Sequence, residues 1–247
     1  MKIAYFDIFS GISGNMILGS LLNAGLELDR LKGELSKLDL TGYQLQVETA
    51  VKNGVSGTYL NVELEKDNHH HDDHEDHHGR HLAEIEEIIA DSDFAAPVKE
   101  MSSRIFRRLA QAEAKIHNKD PEQVHFHEVG AVDAIVDIVG AAVGIHELGI
   151  DQVVASRIHT GTGFVDCAHG KIPIPAPATL ELLQNTPVYS TGIESELVTP
   201  TGAAIITTLA DEFGPLPLMQ IKSIGYGAGS RDLEIPNLLR VSIGELV

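Results

Sequence analysis

His125-Phe126-His127-Glu128-Val129-Gly130-Ala131-Val132-Asp133-Ala134-Ile135-Val136-Asp137-Ile138-Val139-Gly140 is the stretch around which the chain is organised. From Val129 to Leu148 apolar residues fall on almost every side of a helical projection, the pattern of a helix buried in a core. Asp133 and Asp137 interrupt it, four residues apart and therefore on one face, one turn from each other. A carboxylate taken out of water is destabilised by several kcal/mol unless it is paired or binds a cation, and a like charge one turn away adds to that. Just upstream, His125 and His127 point the same way if the segment is extended, and Glu128 follows. Two imidazoles and three carboxylates thus gather at one helix start, a donor set suited to a divalent metal ion or to a cation bridging to phosphate. Taken singly, each residue has a plainer explanation: the aspartates as partners of Arg or Lys, His125 as an ordinary strand histidine. The grouping favours a metal or substrate-phosphate site, because buried ionisable groups cluster at functional sites.

The rest of the composition narrows the setting. A chain of 247 residues is long enough for one large core, and its net charge of −18 argues against binding nucleic acid or an anionic membrane while favouring cations. Its single cysteine, Cys167, excludes an internal disulfide framework and fits a reducing cytoplasm. The opening Met-Lys-Ile-Ala-Tyr-Phe-Asp reads as a strand rather than a signal peptide, and no apolar run is long and uninterrupted enough for a membrane span.

Working outward, residues 2 to 8 read as a buried strand, and Asp7 stands at its end, where strands of α/β sheets commonly carry ligand contacts. Ser10, Gly11, Ser13, Gly14 and Asn15 then turn into a helix over 14 to 24. A Gly/Ser turn at a helix N-terminus favours an anion, although a tight turn with a serine N-cap explains the same residues. A helix over 28 to 38 follows, then strands over 43 to 51 and 55 to 65 joined by an Asn53-Gly54 hairpin turn. Helices are expected over 82 to 90 and 95 to 117. The Arg104, Arg107 and Arg108 face of the second is most simply solvated, with phosphate as the alternative. A strand over 152 to 158 leads to His159 and Thr160. His169 and Lys171 sit on a loop stiffened by Pro173, Pro175 and Pro177, and these four polar residues together offer a binding surface. Thr199, Thr201 and Gly202 open a helix over 202 to 213, again either presenting amides to an anion or capping the helix. The tail holds strands over 219 to 224 and 238 to 243, with Gly225, Gly227 and Gly229 in a turn between them.

One segment breaks the pattern. Between Asn68 and His81 lie seven of the thirteen histidines, His69, His70, His71, His74, His77, His78 and His81, interleaved with four acidic residues. Nothing there can pack a core, so the composition predicts a solvated, disordered loop over 67–81. Imidazole suits nickel, zinc and copper, which makes the loop a capture site for a transition metal. The fold expected is α+β, a mixed β-sheet with packed helices and this His/Asp-rich loop, in one domain over 1–247.

Five motifs carry a family resemblance: Phe6-Asp7-Ile8-Phe9-Ser10-Gly11-Ile12-Ser13-Gly14-Asn15-Met16, the His125 to Asp137 stretch, Ala168 to Thr179, Thr199-Pro200-Thr201-Gly202-Ala203-Ala204, and Gly225 to Asp232. In this order and with the histidine loop, they resemble the N-terminal part of the LarC family over essentially the whole chain. The resemblance implies insertion of Ni(II) into pyridinium-3,5-bisthiocarboxylic acid mononucleotide, a chelatase-type lyase reaction that makes the nickel-pincer cofactor of lactate racemase. It further implies CTP with Mn(II) or Mg(II), a CTP site associated with an additional C-terminal domain acting in cis or in trans, and apo lactate racemase as recipient of the product. A homo-oligomer is expected.

On that basis the loop histidines collect nickel, and Asp7, His125, His127, Asp133 and Asp137, with Glu128, form the ordered metal site. Ser10, Gly11, Ser13, Gly14, Asn15, Thr199, Thr201 and Gly202 hold the anionic groups of the mononucleotide, and His127 or Glu128 is the base that takes the ring C–H proton. Asn15 stands where the family pattern leads one to expect Asp. Two other classes fit the clusters without the resemblance: a non-catalytic nickel store, and a metal-dependent phosphohydrolase.

The loop makes a prediction of its own. Its imidazoles protonate near pH 6.5, so nickel held there is released as the pH falls below about that value. Metal titration at pH 8 and pH 5 should give a higher stoichiometry at the former; equal stoichiometries would remove the histidines from the binding.

Overall fold

The computed structural model describes residues 1–64, 80–126, 132–167 and 170–247, the side chain of Cys167 excepted. The expected capture loop, with His69, His70, His71, His74, His77 and His78, lies outside the described residues. So do His127, Glu128, His169 and the expected first turn of the central helix.

The strands are β1 (Lys2–Asp7), β2 (Tyr43–Lys52), β3 (Val55–Leu64), β4 (Arg80–His81), β5 (His125–Phe126), β6 (Gln152–Ala155), β7 (Ile158–His159), β8 (Phe164–Cys167), β9 (Gly170–Pro173), β10 (Val188–Tyr189), β11 (Glu212–Phe213), β12 (Met219–Ala228) and β13 (Leu238–Leu246). The helices are α1 (Gly14–Asn23), α2 (Leu28–Leu35), α3 (Leu82–Asp91), α4 (Ala96–His117), α5 (Val132–Glu147), α6 (Pro177–Leu182) and α7 (Pro200–Leu209). Seven strands form one mixed sheet in the order β11-β6-β1-β13-β12-β3-β2, which makes the protein α+β. β1 runs parallel to β6 and antiparallel to β13, and β12 runs parallel to β3. Asn53 and Gly54 both take positive φ, 49° and 82°, the twist a two-residue hairpin between β2 and β3 requires.

Alternation along the strands sorts the faces. Ala4, Phe6, Val153, Ala155, Leu239, Val241 and Ile243 join the large core with the helices, whereas Ile3, Tyr5 and Val154 form a small cluster on the other side. α1 lies on β3, β12 and β13, and α5 packs over it, touching α2, α4 and α7 as well. α5 is buried on nearly every side, as its composition predicts.

The tail differs from expectation. The sequence predicts a turn at Gly225, but β12 continues through Ala228, and these glycines serve close approach. A Cβ on Gly227 would lie 1.8 Å from Met16 O and one on Gly225 2.0 Å from Ser20 O, so α1 rests its backbone directly on the strand. Two helices end earlier than predicted, α2 at Leu35 and α7 at Leu209, and β11 takes the residues just beyond α7 to the sheet edge beside β6. β4–β5 and β7–β10 are two-residue pairings too short for any period to reveal.

The glycines give a paired prediction. Gly227→Ala should destabilise the fold by roughly 1–3 kcal/mol or more, because the backbone it meets cannot yield. Gly33→Ala, in open space within α2, should stabilise it by about 0.5–1 kcal/mol. Urea-unfolding midpoints of the two variants should move in opposite directions.

Candidate functional site

The two anion-friendly turns meet. Ile12 N–H donates to Leu197 O at 2.8 Å and Thr199 N–H to Ile12 O at 3.1 Å, around a parallel bridge between Ile12 and Val198. Gly202 faces Ile12 O so closely that a Cβ there would lie 2.4 Å from it. The N-termini of α1 and α7 are therefore locked side by side, with their amide dipoles adding.

Each terminus is satisfied differently. At α7, Thr199 Oγ1 accepts from Gly202 N–H at 3.1 Å, so the N-cap reading of this turn holds. At α1, Ser13 is the N-cap residue but makes no capping bond; its Oγ donates instead to Asn15 Oδ1 at 2.5 Å. The cap comes from α5. Asp137 reaches across, accepts from the Asn15 backbone N–H, and lies against Gly14, where a Cβ would sit 2.3 Å from Asp137 Oδ2. The anion position expected for a ligand at Gly14 and Asn15 is thus occupied by a carboxylate of the protein. Ser10 is wholly buried behind this junction, its Oγ without a hydrogen-bond partner among the described residues and its carbonyl accepting from Asn237 Nδ2 at 3.5 Å. Thr201 is half-buried in the first turn of α7.

Asp133 and Asp137 part company in their environments. Asp133 is exposed, which corrects the expectation of two buried carboxylates. Asp137 is half-buried as a residue, but its Oδ1 is closed off from water and has no hydrogen-bond partner among the described residues. Burial, and then the negative charge of Asp133, push its pKa well above the usual carboxylate range, against the opposing pull of the Asn15 N–H. Such a group carries either a proton or a cation.

The remaining candidates are placed apart. Asp7 lies on the face of β1 opposite α1, and Arg240, its directly opposed residue on β13, takes its carboxylate as an ion pair. His125 faces His81 across the β4–β5 pair, with ring centroids 4.9 Å apart and edge to face. His81 Nδ1 donates to Val124 O at 3.2 Å, which leaves Nε2 with the lone pair. Among the described residues, no three His, Cys, Asp or Glu side chains converge closely enough to hold a metal ion together. The expected single centre therefore divides, in its described part, into a histidine pair, an aspartate pair and the Asp7–Arg240 ion pair.

His159 is also corrected. It is buried, its Nδ1 donates to Phe9 O at 2.9 Å, its Nε2 accepts from Thr191 N–H at 3.1 Å, and its ring stacks on Tyr189 at 4.7 Å. Both nitrogens are used internally, so it presents no binding surface. No local signal points to Asp137 as the cap of a helix 122 residues earlier in the chain, or to His81 as the partner of His125.

A family-wide profile described as nickel insertion protein matches residues 4–246. The chain belongs to the nickel insertion protein family. The pyridinium-3,5-bisthiocarboxylic acid mononucleotide nickel insertion protein of Desulfitobacterium hafniense (strain DSM 10664 / DCB-2) is 54% identical over 246 residues, which cover 100% of this chain and 59% of that protein. A putative nickel insertion protein of Syntrophobacter fumaroxidans is 50% identical, covering 99% of this chain and 61% of its own length. The corresponding mononucleotide nickel insertion protein of Acetivibrio thermocellus is 48% identical, covering 99% and 60%. The chain thus spans about three fifths of the length of these relatives. No solved structure matches it. Among the described residues no helix is long and apolar enough to cross a membrane.

Asp137 makes stability depend on pH. Because folding raises its pKa, the folded state holds a proton that the unfolded state releases, so its contribution is most favourable below the ordinary carboxylate range and is lost as pH rises through the raised value. In metal-free protein, the melting temperature of Asp137→Asn relative to wild type should rise between about pH 4 and about pH 8. A flat difference would mean that the carboxylate is already compensated.

Proposed function

We propose that this chain binds Ni(II) as cargo and carries the nickel-handling half of its insertion into pyridinium-3,5-bisthiocarboxylic acid mononucleotide. The observation that carries this reading is Asp137 Oδ1, without a hydrogen-bond partner among the described residues, at the junction of two helix N-termini in a chain of the nickel insertion family. Nickel collects on the histidines from His69 to His78 and passes to His81 in the β4–β5 pair, whose tautomer presents Nε2 to a metal while a backbone carbonyl holds the other nitrogen. His125 is the adjacent imidazole. From there the route leads through His127 and Glu128 to Asp133 and Asp137, where the cation displaces the proton that the raised pKa of Asp137 retains.

The thiocarboxylates or phosphate of the mononucleotide would lie beside Ser10–Asn15 and Thr199–Gly202, using amides and hydroxyls left over from the internal caps. His127 or Glu128 accepts the ring proton as the nickel–carbon bond forms. CTP with Mn(II) or Mg(II), transfer of the product to apo lactate racemase, and the chelatase step as a whole are assigned to the longer protein, with its additional C-terminal domain in cis or in trans. A single domain over 1–247, assembling as a homo-oligomer in the cytoplasm, is part of the same reading.

Nickel stoichiometry and affinity test the route. Wild type should show several weak sites and at least one tighter site. Deleting 69–78 should remove only the weak ones, and Asp133→Ala/Asp137→Ala only the tight one. Loss of all binding on deletion would instead make the chain a nickel store whose carboxylates are structural.

A further inference from the structure

A second group of residues stands apart from this route. α4 carries Arg104, Arg107 and Arg108, spaced i, i+3 and i+4 and therefore on one face. That face meets the C-terminal part of α7, where the three arginines, Gln111, Thr207 and Thr208 line a cavity of about 240 Å³. The candidate site lies at the other end of α7, so seven residues, about 10 Å of helix, separate Thr201 from Thr208.

The charge of the cavity is opposite to that of the chain. With a net charge of −18 overall, its lining holds three guanidinium groups and no carboxylate. Arg107 pairs with Glu86 from α3, Nε to Oε1 at 2.5 Å. Arg104 and Arg108 donate to backbone carbonyls instead: Arg104 to Thr208 O at 3.3 Å, and Arg108 to Leu182 O at 3.0 Å, at the ends of α7 and α6. These bonds use one amino group each. They hold the guanidinium planes in place without neutralising the charge. Arg108 Nε and Thr208 Oγ1 are closed off from water and have no hydrogen-bond partner among the described residues. Burial lowers the pKa of Arg108, because its partly dry setting disfavours a charge that no anion offsets.

Thr207 Oγ1 already donates to Ala203 O at 2.7 Å. Guanidinium forks beside the uncommitted Thr208 hydroxyl form a donor set without acceptor charge, and the oxyanion that fits such a set best is phosphoryl. We propose that the α4–α7 cavity is a phosphoryl-anion site, taking either free phosphate or the phosphate ester of a nucleotide. It is independent of the nickel route, since none of its residues belongs to that route.

Isothermal titration of the full chain at low ionic strength, with inorganic phosphate and separately with nicotinic acid mononucleotide, tests the site. Saturable binding is expected, with one component weakened more than tenfold in Arg104→Gln and in Thr208→Val, and unchanged in Arg30→Gln, an exposed arginine on α2; the comparison of the two probes is made on that component. Tighter binding of the mononucleotide than of phosphate would identify the ester as the ligand, and equal or weaker binding would identify free phosphate. Arg104 is exposed, so its variant should keep the wild-type circular dichroism where a change at the partly buried Arg108 risks the fold. No saturable binding of either probe, or wild-type affinity in both folded variants, would overturn the proposal. Nickel stoichiometry should be the same in all of these variants, which keeps failure of this site distinct from failure of the nickel route.

Discussion

Backbone-to-backbone contact around α1 governs the arrangement of everything else. The helix rests on Gly225 and Gly227 of β12 with no side chain between them, and its first turn is wedged between Asp137 of α5 and the start of α7. Contacts of this kind have no slack, because a dense interior resists even one added methyl group. The consequence is that the α1 and α7 N-termini and the Asp137 carboxylate form one rigid junction. Their relative positions are set by the packing of the sheet and helices, not by any loop.

The electrostatics of that junction follow from competing magnitudes. A helix N-terminus stabilises a nearby anion by up to about 2 kcal/mol, whereas removing a carboxylate from water is destabilising by several kcal/mol. Desolvation wins, and the exposed Asp133 one turn away adds to it, so Asp137 holds its proton far more tightly than an ordinary acid. One oxygen is spent on capping α1, and Oδ1 is left over. The same carboxylate thus has a structural duty and an oxygen left without a partner among the described residues, which is why the plain and the functional readings of the aspartate do not exclude each other. The arginine cavity is the converse case, cations held by carbonyls in an acidic chain.

Much of the local structure was legible because it rests on short-range rules. The β2–β3 hairpin follows from Asn53-Gly54, which accepts positive φ at both positions, and α5 follows from an apolar pattern sustained over four turns. The alternation of apolar residues in β2 and β3 identified both strands. The differences between expectation and structure share one cause. Gly225 and Gly227 read as a turn because glycine permits turns, yet here it permits close approach, and nothing in the neighbouring residues distinguishes the two uses. The turn-forming neighbours of His159 suggest a binding loop, whereas Phe9 and Thr191, both distant in sequence, close over its nitrogens.

By itself the sequence determined the α+β class, most of the helices and strands, the histidine-rich segment, and the motifs that place the chain in its family. These depend on composition, periodicity and the conformational limits of single residues, all of which act within a few positions. Only the tertiary structure decided that Asp137 caps α1, that Asp7 is taken by Arg240, that His81 faces His125, and that three arginines of α4 surround a cavity with α7. Each of these is a pairing between groups that lie between 40 and more than 200 residues apart. The free energy of a charge depends on which partners and how much water surround it, and that environment exists only once the chain has folded.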